Sequence, residues 1–327
     1  MHRKKPFSKL LVSFFSVFLG PFSGASAGGV ECSGQEEPRG GIHDTGRVNA
    51  SERSLSISVW GSSSAEGIGP QLAAVFRGYD RNAEFYNGGK GGETSSQTAA
   101  RLGSIPLLAE VDGGVIPETG SVNLVSLNVK PSGSWKKYEA TIHGVVGEVS
   151  ATMAGAQFTR KLPGEKVVVP GANEVVPVEV LGHRSNDVIL WMGKNDISFG
   201  YEASDIADRI SVTCDWISSA GKRCLVIGNF NDSDAEVGGV KQRKLNELNS
   251  ILSSKYGDRF VDVQALMVSD RVWEMANVSP SQDDLESQSR GQKPRSLSKD
   301  NGHMNRAGYR AVSSLIQSRL DSLGWYK

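Results

Sequence analysis

The sequence predicts an α/β fold: a doubly wound, mostly parallel sheet interrupted by a β-rich insertion. Three observations predict it. Strand-like and helix-like segments alternate over residues 54–103 and again over 184–327. The run Asp187-Val188-Ile189-Leu190-Trp191-Met192 is almost continuously apolar, as a strand covered on both faces in the middle of a parallel sheet must be. Between about Ile105 and Val180 the pattern changes to short apolar alternations separated by Gly, Pro and Asn, with no amphipathic helix.

The chain opens with Arg3, Lys4, Lys5 and Lys9 ahead of an apolar run, Leu10 to Leu19, and then Ala25-Ser26-Ala27. That order reads as a bacterial secretory signal peptide over residues 1–27, cleaved near Ala27, and the expected destination is secreted or periplasmic. The run is shorter than the roughly 20 residues of a membrane span, so no stable span is expected after cleavage. Residues 28–53 are Gly-, Glu- and Arg-rich without an apolar period and are expected to form a flexible leader.

Order begins at Ser54. Leu55, Ile57 and Val59 alternate with serines as a strand that ends at Trp60-Gly61, and Leu72, Val75 and Phe76 recur at helical spacing behind Pro70. A second strand near Ala83–Tyr86 runs into Asn87-Gly88-Gly89-Lys90-Gly91-Gly92. Thr94 followed by Gln97 then fits a capping box for a helix to about Leu102. The insertion, residues 104–183, is expected to hold about five to seven strands, among them Val122–Val129, Tyr138–His143, Val145–Met153, Gln157–Leu162 and Val175–Val180. After the Asp187 strand come a helix over Ala203–Ser218, a strand at Cys224–Phe230, a helix at Val240–Lys255, a short strand at Arg259–Val263 and a closing helix at Arg306–Leu323. The polar stretch 278–300 is expected to be a mobile loop.

Charge excludes some partners. Among 327 residues, 36 Lys and Arg balance 36 Asp and Glu, and removal of 1–27 leaves 32 against 36, so nothing favours nucleic acid. Three cysteines make no zinc spacing, and no metal or organic cofactor is expected. In an oxidising compartment Cys214 and Cys224 either pair or remain buried thiols.

Four short blocks carry chemistry, each lying where a strand ends or a loop returns to the sheet edge. Gly61-Ser62-Ser63-Ser64 joins the first strand to the first helix, where a serine on a sharp turn is exposed to an incoming carbonyl. From the residues alone, Ser62, Ser63 and Ser64 are all open as nucleophile. Gly92 offers a backbone N–H and Asn195, after the central strand, a carboxamide, two donors suited to a developing oxyanion. Asp300-Asn301-Gly302-His303 lets a carboxylate fix one imidazole nitrogen while the other faces the serine. Among the histidines, His2 and His43 fall in the signal and leader, and His143 and His183 in or at the exit of the insertion, which leaves His303.

With its Ser, Gly, Asn and His blocks in this order, the sequence resembles the SGNH hydrolases, or GDSL-type esterases. The stretch Asn87–Leu102 is similar to members reading Asn-x-Gly-x-Gly-Gly-x-Thr-Ser, and the likeness covers roughly residues 54–103 and 184–323. The resemblance implies a flavodoxin-like three-layer α/β/α sandwich and a nucleophile aligned at Ser63. It also implies an oxyanion hole from the Ser63 and Gly92 N–H groups and the Asn195 side chain. The family's usual Asp after the first Gly is Ser62 here, a departure shared with similar Gly-Ser-Ser-Ser members.

The expected activity is therefore hydrolysis of a carboxylic ester through Ser63, His303 and Asp300. The expected substrate is an O-acetylated carbohydrate, by analogy with what such folds often do. Small-molecule or lipid esters, glycan O-acyl transfer and non-catalytic glycan binding remain the other readings. Trp135, Tyr138 and Trp191 either stack on sugar rings or pack in the core. Oligomeric state is not read from the sequence.

Overall fold

The computed structural model describes residues 55–130, 135–152, 154–217 and 221–326. The expected signal peptide and leader lie outside the described residues. No helix among the described residues is long and apolar enough to cross a membrane.

The chain begins with strand β1 (Ser56–Gly61), helix α1 (Ser63–Tyr79), β2 (Glu84–Gly89) and α2 (Ser95–Leu102). It continues through β3 (Leu107–Val111), β4 (Val115–Ile116), β5 (Ser121–Val125), β6 (Trp135–Ile142), β7 (Val145–Thr152), β8 (Gly155–Arg160), β9 (Val167–Val168) and β10 (Ala172–Pro177). Then follow β11 (Asp187–Trp191), α3 (Lys194–Ser198), α4 (Ala203–Trp216), β12 (Cys224–Ile227), α5 (Val240–Tyr256) and β13 (Phe260–Val261). Last come α6 (Val263–Met267), α7 (Arg271–Ala276), α8 (Gln282–Ser289) and α9 (Arg306–Leu323).

A mixed α/β architecture results. Five strands form one parallel sheet in the order β13-β12-β11-β1-β2. Neighbouring strand residues alternate between two apolar cores, as a two-residue side-chain period requires. Ile57, Val59, Ile189 and Trp191 join residues of α1 and α9, among them Leu72, Phe76, Val312 and Ile316. Trp60, Val188 and Leu190 join Ile206 and Ile210 of α4 and Leu248 and Leu252 of α5. Helices thus cover both faces, and the loops at the carboxyl ends of β1, β2 and β11 emerge together, the usual place for a site in a parallel sheet.

The β-rich stretch closes on itself. Strands β10-β3-β5-β8-β7-β6 form an antiparallel barrel around Leu107, Leu124, Ala140, Val149, Phe158 and Val175, while β4 and β9 pair separately. Closure leaves the barrel no free edge. Helix α2 joins the two bodies, for Ala99 and Leu102 pack in the sheet's core and Ala100 in the barrel's. Tyr138 and Trp191 are buried core residues at 3% and 1% exposure, which removes them as sugar-stacking candidates.

Two further expectations change. Helix α1 begins at Ser63, so Pro70 lies inside it rather than in its first turn. The stretch 278–300 is built, not loose. Ser281 and Asp284 cap α8 reciprocally, and the fully buried Asp284 also accepts from the N–H and hydroxyl of Ser296. Its packing is polar, so it carries no apolar period to read. Cys214 and Cys224 form a disulfide between α4 and β12 across a separation of 10 residues, a staple that stabilises by about 2–3 kcal/mol in chain-entropy terms.

Gly61 makes the sharp exit from β1 possible. Its φ is +150°, and a Cβ there would sit 1.9 Å from the Trp191 carbonyl oxygen. Relief requires parting β1 from β11. Gly61→Ala is expected to destabilise the fold by about 3 kcal/mol or more, measured by urea unfolding; a loss under about 0.5 kcal/mol would contradict this account of the turn.

Candidate active site

Ser63 is the first residue of α1, directly after the turn that Gly61 permits. Its Oγ lies 3.0 Å from His303 Nε2. The flanking serines are closed off, with Ser62 at 4% exposure and Ser64 at 1%, whereas Ser63 is partly exposed. Of the three neighbouring serines, Ser63 is the one whose hydroxyl meets the His303 ring. Its place at a helix N-terminus puts unpaired N–H groups and the positive end of the helix dipole beside any negative charge that develops there.

His303 and Asp300 lie on the loop that leads into α9, whose N-cap Asn305 accepts from the Ala307 and Gly308 N–H groups. Asp300 Oδ1 accepts from the backbone N–H of Gly302 (3.0 Å) and of His303 (2.8 Å). The same carboxylate lies 2.8 and 3.0 Å from His303 Nδ1. Nδ1 therefore carries the proton and donates it, and Nε2 is left as the acceptor toward Ser63. Desolvation alone would raise the Asp300 pKa, but the hydrogen bonds from His303 and Gly302 outweigh it and hold the carboxyl below its ordinary value.

Gly92 and Asn195 are held by contacts of their own. The Gly-rich turn after β2 packs on the start of α1: Gly91 N–H donates to Glu66 (2.9 Å), and a Cβ on Gly89 would strike the Glu66 backbone. Gly92 has φ +84°, which favours glycine. Asn195 Nδ2 donates to the Glu93 carbonyl at 2.8 Å, so the carboxamide is fixed against the residue that follows Gly92. The predicted residues come from four loops: Ser63, His303 and Asp300 are joined by hydrogen bonds, and Asn195 is bonded to the residue that follows Gly92.

Sequence reading missed the groups beneath them. Glu93 and Arg101 are fully buried and joined by two 2.8 Å bonds, and Arg101 also donates to the Gly88 carbonyl. Asp196, fully buried, accepts from Ser95 N–H (2.7 Å) and hydroxyl (2.6 Å), which ties the Asn195 turn to α2. Burial raises the Asp196 pKa against those bonds. Lys194 and Lys293 lie under the His303 loop. The recoverable signal was Glu93: a carboxylate between a Gly-rich turn and a capping box has few reasons to be there other than to bond inward. Among the described residues no group of three or more His, Cys, Asp or Glu is placed to hold a metal ion.

A cavity of about 340 Å³ borders the site. Lys194, Phe230, Asp232, Asp234, Glu236 and Gln242 line it. It meets the His303 loop where Lys194 donates to the Gly302 carbonyl (2.8 Å) and Asn301 donates to Asp234 (2.6 Å).

No family model and no curated protein matches the chain. Among solved structures, the chain is similar to a GDSL-like lipase from Bacteroides thetaiotaomicron, at 13% identity and TM-score 0.43, with 82% of this chain and 88% of that one covered. It is also similar to a member of the lipolytic G-D-S-L family from Veillonella parvula (13% identity, TM-score 0.40, covering 81% and 97%). A catalytic mutant of an acetylxylan esterase from Geobacillus stearothermophilus is a third likeness (10% identity, TM-score 0.43, covering 81% and 94%). In the order of its Ser, Gly, Asn and His blocks the sequence resembles the SGNH, or GDSL-type, hydrolases.

Proposed function

We propose that the protein is an SGNH-type serine esterase on a flavodoxin-like three-layer sandwich, with the barrel of residues 104–183 as an insertion between the two parts of its hydrolase domain, 54–103 and 184–327. One observation carries the reading: the unbroken chain Ser63 Oγ, His303 Nε2, His303 Nδ1 and Asp300, with contacts of 3.0 and 2.8 Å. In the proposed cycle His303 takes the Ser63 proton as Oγ attacks the ester carbonyl. The Ser63 and Gly92 N–H groups and the Asn195 carboxamide hold the oxyanion. His303 then protonates the leaving alcohol, and water, activated by the same imidazole, releases the acid. Asp300 remains ionised throughout and supports the imidazolium.

The substrate class we favour is a short acyl ester of a carbohydrate, met outside the cytoplasm after removal of residues 1–27. The polar groups among the mixed lining of the neighbouring cavity support it, beside apolar walls from Ile197, Phe230, Val240 and Leu245. Carboxylates and an amide at Asp232, Asp234, Glu236 and Gln242 offer hydrogen-bond partners to a hydroxyl-bearing alcohol.

A panel of acetylated sugars and p-nitrophenyl esters of increasing chain length tests both levels. Turnover of the acetyl ester should fall steeply with acyl length, and a fluorophosphonate should label the wild type but not Ser63→Ala. Equal rates on long chains would overturn the carbohydrate preference. Absence of labelling, with glycan binding retained, would overturn the enzyme. Transfer of the acyl group to an added sugar in preference to water would make the protein an acyltransferase.

A further inference from the structure

Lys293 is a lysine with no exposed surface, set between α8 and the short turn at Arg295–Leu297. Its Nζ donates to Ser298 Oγ (2.7 Å), the Asp300 carbonyl (2.8 Å) and the His303 carbonyl (2.6 Å), which uses all three of its N–H groups. Lys194 Nζ holds the Gly302 carbonyl at 2.8 Å and pairs with Asp232 at 2.8 Å, 3.5 Å from the centre of the Phe230 ring. Three of the four carbonyls from Asp300 to His303 are thus held by two ammonium groups.

We propose that Lys293 is a positioning residue: its ammonium, seconded by Lys194, holds the Asp300–His303 loop in register with Ser63, and its deprotonation releases that register and switches the enzyme down at alkaline pH. The proposal rests on the reading of Ser63, His303 and Asp300 as a triad.

The chemistry of the contact makes the charge matter. A neutral amine has two N–H groups and a lone pair. Facing three acceptors, it leaves one without a donor and turns a lone pair toward oxygen. The loop must then shift, and a displacement near 1 Å at a reacting group can cost about a hundredfold in rate. The groups facing Lys293 set the pH at which this happens. Burial lowers its pKa and the Lys194 charge lowers it further, while Asp232, Asp300 and Asp234 oppose them, and the outcome is about 8. His303, on the same loop, offers its carbonyl rather than a charge.

Stability separates this device from a plain structural role. The folded value lies below the ordinary lysine value of roughly 10.4. The cost of burying the ammonium is therefore fully present below about 8 and disappears as pH rises toward the unfolded value. In that window the unfolded chain binds more protons, so this group's contribution to folding stability rises with pH. Activity falls over the same window. A lysine that merely held the fold together would take both down at once.

The test compares full-length wild type, Lys293→Arg and Lys293→Met between pH 6 and 10. Turnover of p-nitrophenyl acetate is measured above the Ser63→Ala background, together with histidine ring-proton NMR, in which the His303 signal is assigned by its loss in His303→Asn. Wild-type kcat should fall with one-proton slope near pH 8, and the His303 resonance should show an inflection there. In Lys293→Arg, charged throughout, the alkaline limb should move up by at least one pH unit and the inflection should vanish. Lys293→Met should lower kcat by about 10- to 100-fold with KM within about threefold. A wild type with no inflection between pH 7 and 9, an Lys293→Arg profile matching wild type, or wild-type kcat in a folded Lys293→Met would each overturn the proposal. Should Lys293→Met fail to fold, the Arg variant and the wild-type NMR titration decide. If the wild type hydrolyses no ester, the triad reading fails by itself, and the NMR still shows whether the loop follows Lys293.

Discussion

Replacing Ser63 by Ala is expected to lower kcat for ester hydrolysis about a million-fold while KM moves less than about threefold, because the removed atom makes the bond that only the transition state contains. His303→Ala should cost a similar factor, and the double variant scarcely more. The base has nothing to activate without the hydroxyl, and the hydroxyl is a poor nucleophile without the base. Ser62→Ala and Ser64→Ala are the controls for register. Both side chains are buried, and the His303 Nε2 bond is to Ser63, so each should stay within about tenfold of wild type. What survives in Ser63→Ala is the water reaction assisted by the Gly92 and Asn195 donors, roughly a thousandfold above solution. Steady-state rates on a short-chain ester decide the matter. A Ser63→Ala enzyme that keeps more than a hundredth of wild-type kcat would remove Ser63 from the chemistry, and a collapse in Ser64→Ala would move the nucleophile one residue along.

Ser63, His303 and Asp300 could be picked out in the sequence because the chemistry proposed for them leaves few choices of residue type; Ser63 follows the end of β1, while Asp300 and His303 lie on the loop into α9. The Thr94–Gln97 capping box was legible for a similar reason: both of its reciprocal bonds, Gln97 N–H to Thr94 and Thr94 N–H to Gln97, are local. Barrel closure was not, since it depends on β10 meeting both β3 and β6, pairings that no short-range pattern announces. Nor was the order in 278–300. Asp284, Lys293 and Gln288 are buried there through hydrogen bonds rather than apolar contact, and a polar stretch that packs inward reads like one that faces water. Hydrophobic period reports what is driven from water, whereas Lys293 is held inside by its three acceptors. Ser62 stands where the resemblance led one to expect Asp, yet the resemblance aligns the nucleophile at Ser63, and it is Ser63 whose Oγ lies 3.0 Å from His303 Nε2.

Breaking the pair under the turn at residues 88–93, part of the proposed oxyanion hole, should show the second large effect. Arg101 is fully buried with Glu93, spans Glu93 and the Gly88 carbonyl, and lies 4.9 Å from the centre of the Trp60 ring. Glu93 also accepts from Thr98 (3.0 Å) and offers its carbonyl to Asn195. Removing one partner strands the other charge away from water, so Arg101→Met is expected to cost about 3–5 kcal/mol of stability. Such a pair contributes little net stability against apolar residues of the same shape, and Glu93→Met/Arg101→Met should therefore recover most of that loss. Activity should not follow. With the turn no longer pinned at both Gly88 and Glu93, the Gly92 N–H and the Asn195 carboxamide lose their fixed aim, and loss of one such donor lowers kcat about 10²- to 10³-fold. Urea unfolding and kcat, both measured well below the melting transition, separate the two quantities. A double variant that regains stability and activity together would show the ion pair to be mere scaffolding. One that regains stability alone would show that the buried charges are retained for the geometry of the oxyanion turn, at a position where hydrophobic packing would serve the fold as well.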